Sequence, residues 1–599
     1  VSDLVRSGAD DRLIQLLFDM CPIGDKHRDE ETPESYLNHT ISRARASGEE
    51  RERSGFAKQD DGYYDISRRG GRRLSTFVIH PRLLLDGTAF GATDAIMGDI
   101  SAFGHEWTGV TFTRSAFTSV ARFDREAPVA AWQWLGRDDD IRKLLPFMIS
   151  ELHEIGMPRV VATPTLGLHD IDGKWYFVAD RQTLSSEVVW NQFDGPVAAL
   201  PTGRERPNLQ YDEPHIDVHE VGELVSKLNC PEVVWPMIGW YTASIFKPWL
   251  EKQGYRFPIL NVCGTKGSGK TTLIQRVFLP MLGQLDPKTY DAGTTRFVKL
   301  ALLGGTNAIP IAFSEFRYSS VLEFIRYILL SYDTGHDPRG RGDQTTVDYP
   351  LSAPFSVDGE DIISDPAAQE RMVVAQLAPA TVEEGGEPYD AYREWSTLGP
   401  RVYGFSKHLV QFALGIINHR GGDTAKALLD GARTDSYNHI QKRLPERVRN
   451  NHVVTYFGIR VLCSATGCID PGFGTLNRSI SSVYNIGAGR TRVAVDDFVE
   501  AVANSVAGFE DRFKWDLTDE GKTLWFQLSS AHSWWLADLR RRGKVGLERD
   551  AIRIQMAEST YSINGGTTMA VNGTLMYGVS LPLAQEAGLD IPDHIGRLQ

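Results

Sequence analysis

The rhythm of hydrophobic and polar positions changes several times along the chain. Residues 1–72 are polar and charged, broken by one amphipathic stretch, Leu13-Ile14-Gln15-Leu16-Leu17-Phe18. The run Glu49-Glu50-Arg51-Glu52-Arg53 has the charge density of a solvated helix face or a linker. From residue 73 to about 200, short β-branched and aromatic runs predict strands at 75–80, 109–113, 159–163 and 174–179, with a helix over 140–155. Residues 217–252 carry Val234, Trp235, Trp240, Tyr241 and Phe246 on helical spacing, a pattern that reads as core. A buried strand, 257–263, follows, and strand-like and helix-like runs then alternate to about 380, as in an α/β core. Residues 400–510 are mainly helical. Beyond 515, helices over 523–542 and 547–558 precede an alternating, glycine-rich stretch, 561–581.

These shifts divide the chain into a helical or linker segment (1–72), an α+β domain whose residues state no function (73–215), an α/β core (216–395), a helical region (396–514) and a small C-terminal domain (515–599). The last fits a winged helix, with Asn564-Gly565-Gly566 as the tight turn of the wing. A length of 599 residues agrees with several cores, because single cores stop growing at about 250–300 residues.

Composition changes the picture little. Hydrophobic residues make up 42% and charged residues 24%, values ordinary for a globular protein. The net charge of -13 means that any contact with nucleic acid uses a local basic strip or pore, since the whole molecule repels phosphate. Five cysteines, an odd number, give no disulfide framework, and Cys463 and Cys468 lack a second pair with zinc spacing. No apolar run approaches about 18 residues, so no membrane partner is expected. The chain starts Val1-Ser2-Asp3, without methionine or the regions of a signal peptide, as an excised fragment or an unusual start would. A soluble, cytoplasmic protein is the expectation, in the host cytoplasm if the source is viral.

The chemistry is concentrated in Gly264-Thr265-Lys266-Gly267-Ser268-Gly269-Lys270-Thr271, followed by Thr272, which fits G-x-x-x-x-G-K-[ST] at every specified position. Glycines let backbone amides wrap phosphate oxygens at a helix N-terminus. Lys270 places positive charge on the β- and γ-phosphates of ATP, and the Thr271 hydroxyl is a magnesium (Mg2+) ligand. The motif stands between a plausible strand, 259–263, and a plausible amphipathic helix, 272–278.

Such a site needs a carboxylate at a neighbouring strand end. The apolar run 308–313 ends in Ser314-Glu315, which makes Glu315 a candidate water-activating base and magnesium-shell residue, or else a surface glutamate. Ser314 stands where an aspartate is usual. The next run, 351–360, reads as the strand that probes the γ-phosphate, with Ser356 or Asp358 as its polar tip, or as a simple strand and turn. Arg371 is a candidate arginine finger acting on a neighbouring subunit's nucleotide, or a surface ion pair. Between the two strands, Gly335-His336-Asp337-Pro338-Arg339-Gly340-Arg341-Gly342-Asp343 reads as a basic loop whose Arg339 and Arg341 suit a DNA backbone, or as a solvated turn. A second basic cluster, 442–449, reads as a solvated face, or as a source of one arginine in reach of nucleotide.

In this order the parts resemble the AAA+ helicases of superfamily 3, above all the helicase-like domains of phage, plasmid and archaeal-virus replication proteins. The resemblance is specific over residues 220–380 and loose over 400–510. It implies an α/β P-loop NTPase core of AAA+ type with a helical lid, and an ATP- and Mg2+-dependent DNA helicase or translocase. It also implies a homo-oligomer, a hexameric ring with ATP sites between subunits, on single-stranded or forked DNA. A primase or another replication protein is a further implied partner. Two departures stand out: Ser314, and the missing asparagine on the polar-tipped strand. Residues 1–200 show no primase carboxylate pair, so primase activity is not expected. Other readings of the same loop are a packaging or defence-system NTPase indifferent to DNA, a small-molecule kinase, and a scaffold that binds nucleotide without hydrolysing it.

Overall fold

β-Branched runs in the first third of the chain build a mixed sheet. The computed structural model describes residues 12–14, 37–38, 41–42, 55–67, 71–127, 129–191, 193–201, 206–211, 216–316, 318–333, 335–340, 346–360, 362–363, 365–377, 385–441, 444–485, 490–491, 494–508, 512–541 and 549–591. It divides into two units, 1–164 with 190–203, and 165–189 with 204–599.

In the first unit five strands lie in the order Val197–Ala199, Arg159–Thr163, Val78–Asp86, Ala95–Ala102, His105–Thr113. The first three run parallel and the last two antiparallel. Helix Leu144–Glu154 covers the sheet over an aromatic core in which Phe77 stacks on Phe123 at 5.0 Å.

The second unit is built on a parallel sheet. Its strands are β1 (Ile259–Gly264), β2 (Thr289–Asp291), β3 (Ile311–Phe316), β6 (Phe355–Gly359) and β7 (Met372–Leu377). Between β3 and β6 the chain inserts an antiparallel hairpin, β4 (His336–Gly340) with β5 (Thr346–Pro350). The sheet order is β2-β3-β6-β1-β7, so β6 separates the strand that ends in the glycine loop from the strand that carries Glu315. All six residues of β1 are buried, as befits a strand covered on both faces. Pro310 precedes β3, where its missing amide costs no ladder bond, and its carbonyl accepts from Gln284.

Helix α1 (Pro231–Ser244) is buried on every side. Its Trp240 donates to the Pro258 carbonyl at 2.7 Å, and Tyr241 stacks on Phe278 at 4.8 Å, so these aromatics are core, as their spacing predicts. A 21-residue helix, α2 (Glu446–Thr466), crosses it. Edge strand β7 is closed by Ser479, whose Oγ accepts the Val374 amide at 2.9 Å. Cys463 and Cys468 are buried, with their sulfurs 3.4 Å apart.

The C-terminal part departs from the predicted pattern. Residues 523–526, read as the start of a helix, form a strand paired with Trp515–Thr518, and the helix begins at Leu528. The turn between Met569–Val571 and Thr574–Ser580 is Asn572-Gly573, not Asn564-Gly565-Gly566, which lies in the short 3-10 helix Ile563–Gly566. Both Asn572 and Gly573 have positive φ (49° and 77°), the requirement of a type I′ hairpin turn. No described helix is long and apolar enough to cross a membrane.

Candidate nucleotide site

β1 delivers the chain into the glycine loop. A Cβ at Gly264 would lie 2.5 Å from the Leu377 carbonyl oxygen and 2.8 Å from the Ser268 hydroxyl, so no side chain fits there. Gly267 (φ 83°) and Gly269 (φ 86°) are left-handed, and a Cβ at either would meet nothing within 4 Å. Those two glycines serve backbone curvature around open space. The following helix starts at Lys270, with Gly269 as N-cap and no side-chain cap. Its first amides are therefore free of capping oxygens, the arrangement that receives an anion. Ser268 is buried and its hydroxyl has no hydrogen-bond partner among the described residues, a polar atom in want of an acceptor. The Lys270 ammonium donates to the carbonyls of Gly264 (2.6 Å) and Thr265 (3.1 Å), spanning the loop. Thr265, Lys266, Thr271 and Thr272 are exposed. Beyond Leu273 the helix widens into a π-turn, Ile274–Phe278, just ahead of Pro280.

The acidic side of the site comes from β3 and β6. Their register pairs Phe313 with Val357 and then Phe316 with Gly359, so Ser314 and Glu315 both face the single residue Asp358. This bulge puts Glu315 at φ 55°, a left-handed conformation that costs about 1–3 kcal/mol for a residue with a side chain. The Glu315 amide donates to Asp358 Oδ1 (3.2 Å), and the Thr271 hydroxyl donates to Asp358 Oδ2 (3.3 Å). Asp358 is 3% exposed, whereas the Glu315 side chain is exposed. Burial pushes the Asp358 carboxyl above the usual carboxylate range, against the hydrogen bonds from Thr271 and the Glu315 amide and the nearby Lys270 charge.

The structure thus brings Lys270, Thr271 and Glu315 to one edge of the sheet, with Asp358 between them. Ser356 is not part of this group. It sits mid-strand, fully buried, with its hydroxyl 3.2 Å from that of Tyr241. Asp358, the other candidate for the polar tip, is the one at the strand end.

Arg371 lies at the opposite end of the sheet. β1 and β7 are parallel with Ile259 beside Met372 and Gly264 beside Leu377. At about 3.3 Å per residue, Arg371 is therefore roughly 20 Å from its own glycine loop. Its guanidinium donates to the Ala367 carbonyl (2.7 Å) and Asp333 (3.2 Å) and lies over the Tyr332 ring. Arg447, paired with Glu370 at 3.1 Å, lies against the same ring. Nothing in the local sequence signals that meeting, because Arg447 comes from α2.

Of the segment read as a basic loop, His336–Gly340 is a strand of the hairpin, and Arg339 is paired with Val347. Arg341 lies outside the described residues. The hairpin is rooted by fully buried Asp337, which accepts Arg296 at 2.7 Å and Arg326 at 2.8 Å.

No known family's sequence profile and no curated protein matches the chain. Solved structures do. The chain is similar to the structure titled "SCCmec type IV Cch - active helicase", with TM-score 0.54 and 11% identity over 89% of this chain and 99% of that one. The apo NrS-1 C-terminal region matches over 64% of this chain and 89% of its own, at TM-score 0.27 and 12% identity. A JCV helicase bound to a small molecule matches over 38% and 73%, at TM-score 0.21 and 12% identity. The first of these likenesses shows a shared fold: a mixed α/β architecture with a parallel sheet and helices.

Proposed function

We propose that this chain is an ATP-hydrolysing motor that moves along single-stranded or forked DNA, a helicase of the kind that serves viral or mobile-element replication. It works as a ring of like subunits with nucleotide between them. One observation carries the reading. The glycine loop stands at the edge of a parallel sheet, and a hairpin bearing Arg339 is inserted between the strand of Glu315 and the strand of Asp358. Hydrolysis at that edge and displacement of the hairpin are thus coupled through β3 and β6.

The residues fit a nucleotide and its metal. The positive-φ glycines, the uncapped helix start and the unpartnered Ser268 hydroxyl receive phosphate oxygens. Lys270 leaves its own loop carbonyls to place its charge on the β- and γ-phosphates. Thr271 and a neighbouring carboxylate are the donors for magnesium, which when bound neutralises charge on the phosphates. Glu315, exposed at the strand end, orients the attacking water and takes its proton. Arg339 and Arg341 contact DNA phosphates, a binding that weakens with salt.

The C-terminal part extends this reading to duplex DNA. Helix Ala494–Ala507, the 515–526 hairpin, helices Leu528–Arg541 and Arg549–Glu558 and the 569–580 hairpin follow one another as in a winged helix. Arg540, Arg541, Arg549 and Arg553 are exposed on its two later helices.

The test is ATP hydrolysis with and without single-stranded DNA. The expected result is stimulation by DNA in the parent, loss of hydrolysis in Lys270→Ala, and loss of the stimulation in Arg339→Ala/Arg341→Ala. Hydrolysis indifferent to DNA would instead mark a protein-directed motor or switch.

A further inference from the structure

A phosphate loop needs an acidic oxygen beside its Thr271 hydroxyl to complete the magnesium shell. The strand expected to provide it, β3, ends in Ser314, which has no charge, and Glu315, which the bulge turns to the surface. The neighbouring strand, β6, ends in a carboxylate already in contact with Thr271. We infer that Asp358 supplies the acidic oxygen of the magnesium shell, in place of the residue that Ser314 stands for, and leaves Glu315 to the water. The inference rests on the phosphate-loop reading above.

Three observations carry it. Thr271 Oγ1 and Asp358 Oδ2 are 3.3 Å apart. Adjacent ligands of a magnesium octahedron with bonds of about 2.0–2.1 Å are about 3 Å apart, so a small relaxation lets both oxygens share one ion. Asp358 also holds its carboxyl group buried, 3% exposed, where it receives only a hydroxyl and an amide hydrogen bond and has no ion-pair partner among the described residues. A charge buried there is costly until a cation meets it. Finally, the bulge spends the Glu315 amide on Oδ1, which fixes the carboxylate with Oδ2 toward Thr271. The unusual backbone of Glu315 therefore does two things. It orients the metal ligand through its amide and presents its own carboxylate outside the metal pair.

The experiment is binding of a fluorescent ADP analogue to the full chain, in magnesium and in EDTA. Magnesium is expected to tighten binding to the parent. Asp358→Asn should lose about 10- to 100-fold of that tightening while still binding in EDTA, and Glu315→Gln should keep the tightening but not hydrolyse ATP. Asp358→Cys carries the test if the asparagine variant does not fold. A thiolate ligand shifts preference to a soft ion, so cadmium should restore the tightening that magnesium no longer gives. A parent-like magnesium response in Asp358→Asn, or its loss in Glu315→Gln alone, overturns the inference and leaves the phosphate-loop reading intact. Failure of the parent to bind nucleotide, with Lys270→Ala no different, removes both.

Discussion

His452, fully buried on α2, is held in one tautomer by its neighbours. Its Nδ1 is 2.9 Å from the Val448 carbonyl, which only accepts, so Nδ1 carries the proton. Nε2 must then accept from Ser479, 3.0 Å away, whose oxygen in turn accepts the Val374 amide of edge strand β7. A second proton on the ring would set two donors against each other inside the core. Burial accordingly lowers the His452 pKa to about 4, and does the same to His169. Between about pH 6.5 and pH 4 the unfolded chain binds protons that the folded chain refuses, so stability is full above that window and falls on acidification through it. The slope is at most about 1.4 kcal/mol per pH unit for each histidine. Denaturant unfolding at about pH 7 and about pH 5 should show a smaller loss in His452→Asn than in the parent; equal losses would clear the histidine of the effect. His452 is not marked in the sequence, because its relay joins residues from three separate elements. The tip of β6 was legible only up to a choice. Ser356 and Asp358 share a strand face by the two-residue period, and which of them reaches the loop depends on where pairing with β1 and β3 ends.

Helices α1 and α2 cross where both carry glycine. A Cβ at Gly458 would lie 1.9 Å from the Gly239 carbonyl oxygen, and one at Gly239 would lie 2.3 Å from that of Thr455. Backbone on either side cannot yield without moving a whole helix, so Gly458→Ala should cost at least about 1–3 kcal/mol. Gly415, in helix Val402–Asn418, is the control: a Cβ there meets only Ser186, at 4.0 Å. Gly415→Ala should therefore gain about 0.5–1 kcal/mol from reduced chain entropy. Urea midpoints for the two variants check the contrast, and a shift of Gly458→Ala no larger than a few tenths of a kcal/mol would mean that the crossing is looser than described. In the sequence these glycines look alike, as mild interruptions of a helical pattern. The elements that did read correctly had strong local signals, such as the 159–163 strand and the run into the glycine loop. Those that did not were decided by partners. Residues 523–526 look helical beside the helix that follows, yet they pair with 515–518 and 577–580. The turn of the C-terminal hairpin is Asn572-Gly573 rather than Asn564-Gly565-Gly566, because it is 569–571 that pairs with 574–576. The bulge at Glu315 left no local trace, since it is a property of the β3–β6 register.

At the scale of the whole chain, the parallel sheet separates two chemistries. The glycine loop, Glu315 and Asp358 occupy the edge where β1, β3 and β6 end, and Arg371 occupies the edge where β7 begins. With roughly 20 Å between Arg371 and the Gly264 loop of the same chain, no side-chain motion lets that guanidinium reach that loop. Either Arg371 is structural, tied to Asp333 and Tyr332, or it serves a nucleotide held by the next subunit of the proposed ring. The two cases separate on mixing. Lys270→Ala chains keep Arg371 but lack a working loop, and Arg371→Ala chains keep the loop but lack the arginine. If the arginine acts across subunits, a mixed ring contains interfaces where the intact loop of one variant faces the intact arginine of the other. ATP hydrolysis by the mixture should then exceed that of either variant alone. An arginine with a purely structural role gives a mixture no better than the average of the two. Arg371→Lys sharpens the distinction. It keeps the charge near Asp333 and so should preserve folding, while losing the paired donors that a guanidinium offers to phosphate oxygens. Unfolding temperature close to the parent's, together with ATPase activity rescued only by mixing, would place Arg371 at a neighbour's nucleotide.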